Sequence, residues 1–143
     1  MITVRRAVLS DACEVARMER EYIDCPWSSD QIRREIDSAD AVFLVAETDG
    51  RVVGYLSGAF AADECEISNI AVESSHRRQG IGSALFDAFM SAAVERGAKY
   101  LFLLVRDGNI AATELYKSIG FSAVGRRHGY YGDCDAVIMS RNI

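Results

Sequence analysis

Residues 77 to 82 read Arg77-Arg78-Gln79-Gly80-Ile81-Gly82 and join a strand-like run to a helix-like run. The run before them, Glu66 to Val72, has β-strand composition. The run after them, Ser83 to Arg96, repeats apolar residues at helical spacing. A loop that opens a helix presents unpaired backbone N–H groups and the positive end of the helix dipole. Glycines at 80 and 82 let that backbone come close to an anion. The junction therefore calls for a sheet with helices packed on it and a phosphate group at the loop. The plain alternative is a glycine-rich turn that only caps an ordinary helix.

Spacing excludes two common phosphate loops. No Lys follows Gly82, as a P-loop requires, and Gly80-Ile81-Gly82-Ser83-Ala84-Leu85 lacks the third glycine of a dinucleotide fingerprint. What remains is Arg77-x-x-Gly80-x-Gly82, an (Arg/Gln)-x-x-Gly-x-(Gly/Ala) pattern.

The rest of the chain supplies an order of elements. Ile2 to Ala7 reads as a strand, and Ser10 or Asp11 caps a helix through about Ile23 with Val15, Met18 and Tyr22 on one face. Ser28 and Gln31 form a capping box before a second helix carrying Ile32 and Ile36. Val42 to Thr48 and Arg51 to Ala59 are strands joined at Asp49-Gly50, a hairpin signal. A strand from Cys65 to Val72 follows, with Glu66, Ser68 and Ile70 on one face by strict alternation. The next helix buries Ile81, Leu85, Ala88, Phe89 and Ala92 and ends at Gly97. Tyr100 to Val105 is nearly all apolar, as for a strand covered on both faces. Asn109 opens a helix carrying Ala112, Leu115, Tyr116 and Ile119, closed by Gly120, and Phe121 to Arg126 and Asp135 to Ser140 are the last strands. The order is β-α-α-β-β-β-α-β-α-β-β.

Composition narrows the function classes. The 143 residues are half apolar and fit a single domain, residues 1–143. No stretch approaches the ~20 apolar residues of a membrane span, and no apolar signal region follows the first charges. Net charge is −5, against a general nucleic-acid role. Cys13, Cys25, Cys65 and Cys134 form no Cys-x-x-Cys pair, and with two histidines they make no zinc pattern; free thiols in a reducing cytosol are expected, with no metal. Within an acidic chain, His76-Arg77-Arg78 stands out because it leads directly into the glycines.

The loop pattern resembles the acetyl-CoA loop of the GNAT superfamily of N-acetyltransferases. Asn109-Ile110-Ala111-Ala112-Thr113-Glu114-Leu115-Tyr116, ending in Gly120-Phe121, resembles a second signature of that family, and Asn69-Ile70-Ala71-Val72 its central strand. Pro26-Trp27-Ser28, Val105-Arg106 and Tyr130-Tyr131 with Asp135 to Met139 resemble the RimI-like branch, which acetylates protein N-termini such as those of ribosomal proteins. The resemblance runs from about residue 2 to residue 140. It implies the GNAT fold: an α+β domain with a twisted, mostly antiparallel sheet of about seven strands, a splayed fourth and fifth strand, and about four helices shared between both faces.

The resemblance also implies roles. Ile70, Ala71 and Val72 would pair with the pantetheine arm of acetyl-CoA, and one of their N–H groups would hold the thioester oxygen. Arg77, Arg78, Gln79, Gly80, Ile81, Gly82 and Ser83 would bind the pyrophosphate. Asn109 would touch the arm or cap its own helix. Tyr116 would be the general acid for the leaving sulfur, since a phenol of pKa ~10 is protonated at neutral pH; alternatively it is a core aromatic. The family branch carries a glutamate on the fifth strand where Leu104 stands, and leucine takes no proton. Glu66, eleven residues before Arg77, is the candidate general base at a spacing known elsewhere in the family, against the reading of a solvated charge beside Asp63 and Glu64. Glu64, Asp133, Asp135 and a water chain ending at Tyr131 are weaker candidates. Trp27, Tyr130 and Tyr131 would line the acceptor groove with Cys25-Pro26, or else are packing residues.

The acceptor is a protein or peptide N-terminus, a lysine or a small amine, or else the chain is a catalytically weak acetyl-CoA-binding module; monomer and homodimer both remain open. At pH 7 roughly one in seven α-amines of pKa ~7.8 is neutral, against about one in 2500 lysine amines of pKa ~10.4. General-base help is typically worth ~10²–10⁴, so an N-terminal substrate best tolerates the loss of the strong base at Leu104.

Overall fold

The computed structural model describes residues 1–23 and 26–143. Strand β1 (Thr3–Arg6) leads through a 3₁₀ turn, Leu9–Asp11, into helices α1 (Ala12–Tyr22) and α2 (Ser29–Asp37). Three strands follow, β2 (Ala41–Thr48), β3 (Arg51–Ala61) and β4 (Glu64–Val72), then a 3₁₀ turn, Ser74–His76, and helix α3 (Ile81–Glu95). The chain closes with β5 (Tyr100–Arg106), α4 (Ile110–Ser118), β6 (Ser122–Arg127) and β7 (Ala136–Asn142). The seven strands form one sheet in the order β1-β2-β3-β4-β5-β7-β6. All neighbours are antiparallel except β4 and β5, which run parallel. This is the mixed, mostly antiparallel architecture expected from the sequence.

Local chemistry explains the turns. Asp49 and Gly50 both take positive φ, 52° and 75°, the paired left-handed residues of a type I′ hairpin. The Ser28 hydroxyl accepts from the Gln31 N–H at 3.2 Å, and the Gln31 side chain accepts from the Ser28 N–H at 2.8 Å, completing the capping box of α2. Asp11 does otherwise than expected. Its side chain does not cap α1; it accepts from the Val8 N–H at 2.8 Å and from Arg5 at 2.8 and 3.1 Å. A charged donor on the neighbouring strand outcompetes a backbone cap for the carboxylate.

Helices α1 and α2 cover one face of the sheet, where Val15, Met18 and Ile32 pack on Phe43, Val45, Tyr55 and Ala71. On the other face Ile81, Leu85 and Phe89 of α3 pack on Leu44, Val53, Leu56, Ile67 and Leu103, and Ala112, Tyr116 and Ile119 of α4 join them. The apolar band of α3 is broader than its sequence stripe. Phe86 and Ala93 are buried, while Ala88 and Ala92 are half-buried, because Phe86 also meets the Phe121 ring edge-on at 6.2 Å.

Two strands depart from expectation where the site forms. In β5, Leu101, Leu103 and Val105 are buried, but Phe102, Leu104 and Arg106 are only partly covered. A strand that reads as covered on both faces thus has one face open. In β4, Ser57 pairs with Asn69 but Gly58 pairs with Ile67, so Ser68 is an extra residue in a β-bulge. The bulge inverts the alternation. Cys65, Ile67, Ile70 and Val72 all turn toward the α3 core, whereas Ala71 packs toward α1 and Asn69 bonds to it. Glu66, Ser68 and Ile70 therefore do not share one face.

Gly58 sits opposite the bulge, where a methyl group would collide with the Phe89 ring and lie 2.9 Å from the Glu66 carbonyl oxygen. Gly58→Ala is expected to destabilise the protein by about 1–3 kcal/mol, read from urea unfolding. An unchanged unfolding midpoint would show that the bulge has slack.

Candidate active site

The parallel pairing of β4 and β5 covers only Glu64, Cys65 and Glu66 against Tyr100, Leu101 and Phe102. Beyond that point the strands diverge, and a cavity opens on each side of the gap. One, about 540 Å³, lies between β4 and the start of α3. The other, about 620 Å³, lies between β4, β5, the α1–α2 segment and the β6–β7 loop. Tyr22, Ile67, Ile70 and Tyr116 line both.

The first cavity gathers most of the residues expected to hold acetyl-CoA. Ile70, Ala71 and Val72 form one wall. Arg77, Arg78, Gly80, Ile81, Gly82 and Ser83 form its end. Gln79 is exposed and does not line it. Gly80 is the N-cap of α3 with φ 79°, a conformation that side chains oppose. At Gly82 a methyl group would meet no protein atom within 4 Å, so the backbone there is open to solvent. A backbone opening a helix beside such space, with two arginines, fits a pyrophosphate. Arg77 is held ready: its Nε donates to the Val72 carbonyl at 3.1 Å, and its guanidinium lies 4.9 Å from the centre of the Tyr22 ring. Tyr22 is fixed in turn, donating to Glu73 at 3.1 Å and accepting from the Ser74 N–H at 3.0 Å.

Tyr116 stands where the cavities meet, packed edge-on against Phe121 at 5.9 Å. Burial, with a smaller contribution from Tyr131, raises its pKa above the ordinary phenol value. It is thus a group that keeps its proton until a strong base takes it. Leu115, beside it on α4, is 54% exposed and lines the first cavity instead of joining the core. Asn109 lines the second cavity, not the first, and its side chain accepts from the Ala112 N–H at 3.2 Å. It is the N-cap of α4.

The second cavity brings together Trp27, Tyr130, Tyr131, Glu66 and Leu104. Cys25 lies outside the described residues. Glu66 in this cavity and the aspartates of the neighbouring β6–β7 loop have opposite environments. Asp133 is bound to Arg106 at 3.0 Å, and Asp135 accepts from the Gly129 N–H at 2.8 Å. These bonds hold both below the ordinary carboxylate value, which makes them poor bases. Glu66 is half-buried; burial raises its carboxyl, opposed by the charge of Arg127. Glu64 is exposed and lines neither cavity. Tyr131 is held by its neighbours: the Arg106 guanidinium lies 4.8 Å from its ring centre, and its N–H donates to the Cys134 carbonyl at 3.1 Å.

Sequence reasoning missed Glu19, Asn69 and the site role of Tyr22. Glu19 is 1% exposed on the apolar face of α1, and its carboxylate accepts from the Trp27 N–H, the Asn69 amide and the Tyr55 hydroxyl. Its one sequence signal is a charge among Val15, Ala16 and Met18 on the buried stripe. Among the described residues no group of three or more His, Cys, Asp or Glu could hold a metal ion, and no helix is long and apolar enough to cross a membrane.

A strand with a free edge, a glycine-rich helix start beside two arginines and a tyrosine between two cavities thus meet in one place. Residues 10–121 match the acetyltransferase (GNAT) family. A Bacillus subtilis protein provisionally named a ribosomal protein bS18-alanine N-acetyltransferase is 35% identical over 139 residues, which cover 95% of this chain and 92% of that protein. The crystal structure of the ribosomal-protein-S18-alanine N-acetyltransferase from Escherichia coli superposes with a TM-score of 0.89 at 29% identity, covering 100% of this chain and 94% of that one. The PaiA N-acetyltransferase from Thermoplasma acidophilum, solved in complex with coenzyme A, shares the fold at a TM-score of 0.86 and 19% identity, with 100% and 99% coverage. The chain belongs to the acetyltransferase (GNAT) family and is an N-acetyltransferase.

The raised Glu66 carboxyl has a consequence for stability. The fold binds this proton more tightly than the unfolded chain does, so the cost of burying the charge is absent below the ordinary value of 4.5 and complete above the folded value. Glu66→Gln is expected to raise the melting temperature at pH 7, with the gain shrinking as pH falls toward 4.5. A pH-independent difference in thermal scans would contradict a buried charge at this position.

Proposed function

We propose that this chain, acting over residues 1–143 as one catalytic domain, transfers the acetyl group of acetyl-CoA to the N-terminal α-amine of a protein, a ribosomal protein being the leading acceptor. The observation that carries this reading is the meeting of the donor and acceptor cavities at Tyr116, with Glu66 on the acceptor side. The names of the B. subtilis and E. coli relatives support the acceptor class, and the coenzyme A complex of the fold neighbour supports the donor.

The residues divide the reaction as follows. The loop from Arg77 to Ser83 binds the pyrophosphate, while the free edge of Ile70, Ala71 and Val72 pairs with the pantetheine arm and offers an N–H to the thioester oxygen as charge develops there. Trp27, Tyr130 and Tyr131 hold the first residues of the acceptor. The amine nitrogen attacks the thioester carbon, and Glu66 takes the proton this nitrogen loses, directly or through one water. The C–N bond forms, the C–S bond breaks, and Tyr116 gives its proton to the departing sulfur. Of Glu66, Asp133 and Asp135, Glu66 has a raised pKa and lines the acceptor cavity, whereas the two aspartates are held low by their partners. Its moderate basicity suits an α-amine, a fair share of which is already neutral at pH 7. The three described cysteines are free thiols, which suits a reducing cytosol; a monomer or a homodimer would serve.

Thiol release from acetyl-CoA is expected with peptides bearing a free N-terminus and not with the same peptides N-terminally blocked, even when they contain lysine. Tyr116→Phe and Glu66→Gln are each expected to lower kcat by about 10²-fold while calorimetry shows unchanged acetyl-CoA binding. Acetyl-CoA binding without turnover on any free N-terminus would overturn the reading, and turnover on blocked, lysine-containing peptides would move the acceptor to a side-chain amine.

A further inference from the structure

Glu19 is the most buried charged side chain among the described residues, and the reaction outlined above does not use it. It lies in the last part of α1 on a face otherwise made of Ala12, Val15, Ala16 and Met18. A carboxylate in such surroundings is costly unless donors surround it. Three do, and they come from three different parts of the fold. The Trp27 N–H donates to Oε1 at 2.9 Å, the Asn69 side-chain amide donates to the same oxygen at 3.0 Å, and the Tyr55 hydroxyl donates to Oε2.

Two of these donors belong to the walls of the acceptor cavity. Trp27 lies between the end of α1, where the Ile23 N–H donates to the Glu19 carbonyl at 2.9 Å, and the capping box at Ser28. No regular secondary structure holds residues 26 to 28, so the bond to Glu19 sets where the Trp27 backbone sits. Asn69 follows the bulge at Ser68 and precedes Ile70, where the free edge of β4 begins to face the donor. One carboxylate oxygen therefore ties the acceptor segment to the bulge of the donor strand, and Tyr55, itself buried beneath α1, anchors the other oxygen.

We infer that Glu19 is a positioning residue for the acceptor: its buried carboxylate fixes the Trp27 segment against Asn69 on β4 and so sets where the incoming N-terminus lies relative to the thioester. The inference rests on the acceptor assignment of the Trp27 cavity made above. The role depends on reach and on acceptor atoms, not on catalysis at Glu19. A glutamine can keep all three contacts, since its carbonyl oxygen can accept from Trp27 and Asn69 while its amide donates to a Tyr55 oxygen that accepts in place of donating. An aspartate keeps the charge but loses one methylene of reach.

The test compares Glu19→Gln, Glu19→Ala and Glu19→Asp in the full chain, with acetyl-CoA and a peptide of free N-terminus. In Glu19→Ala, kcat/KM for the peptide is expected to fall about 10²-fold, mostly through kcat, because a small misplacement of a bound reactant has that effect. The Kd for acetyl-CoA is expected to stay within about twofold, and Glu19→Gln to keep kcat/KM within about threefold of the parent. Trp27 is the one tryptophan of the sequence, so its fluorescence reports the segment with no acceptor present. Its emission is expected to shift to the red and quench more readily in Glu19→Ala and not in Glu19→Gln. Where Glu19→Ala does not fold, Glu19→Asp serves in its place and is expected to behave like it. Unchanged kcat with the peptide and unchanged Trp27 emission in a folded Ala or Asp variant overturn the inference. So does an equal loss of acetyl-CoA and peptide binding, or a Gln variant as impaired as Ala. Failure of the parent protein to acetylate any free N-terminus sinks the acceptor assignment instead, and the fluorescence comparison then decides separately whether Glu19 holds the Trp27 segment.

Discussion

The early end of the β4–β5 ladder is the constraint on which the rest of the site depends. Parallel pairing stops at Glu66 and Phe102, and from there the backbone of β4 faces its neighbour without a partner strand. Unpaired N–H and C=O groups inside a sheet demand another partner, and a ligand chain that can pair with them is the natural one. The bulge at Ser68 adds to this by turning Ile70 and Val72 toward α3 and leaving Asn69 and Ala71 toward α1. The gap so formed divides a donor side from an acceptor side. Tyr116, carried on α4 across the gap, is one of few side chains that reach both.

Electrostatics then distinguish carboxylates that look alike in the sequence. Asp133 and Asp135 sit in the loop that carries Tyr130 and Tyr131, but each is committed, one to Arg106 and the other to the Gly129 N–H. Their role is to hold that loop in shape. Glu66 stands on β4 in partial burial, which pushes its pKa up, and Leu104 leaves the facing part of β5 apolar. Environment, not residue type, thus sets these carboxyl groups apart. Glu19 is a third case: buried more deeply than Glu66, its carboxyl is raised by burial against three donors, and it lines neither cavity.

Much of this was legible in the chain. The Asp49-Gly50 turn, the Ser28–Gln31 capping box and the order of elements follow from local chemistry that acts within a few residues, and local chemistry is what a sequence displays. The loop from Arg77 to Ser83 was legible for the same reason: glycines, cations and a helix start lie within one short stretch. The less legible features all involve a distant partner. Asp11 reads as a helix cap, but Arg5 takes it. Leu115 reads as part of an apolar stripe, yet it lines a cavity, because the sheet beneath α4 has opened. Strict alternation in β4 fails at a bulge that nothing in Glu66-Ile67-Ser68-Asn69 announces.

The order of elements, the glycine-rich helix start beside two arginines and the tyrosine of the second signature are each written in short contiguous stretches of the chain. Two features emerge only on folding: burial raises the Glu66 carboxyl while bonds hold Asp133 and Asp135 low, and Glu19 links the Trp27 segment to β4. Both have one cause. The fate of a polar side chain depends on which donors and how much water surround it after folding, and those neighbours come from residues up to 50 positions away in the chain.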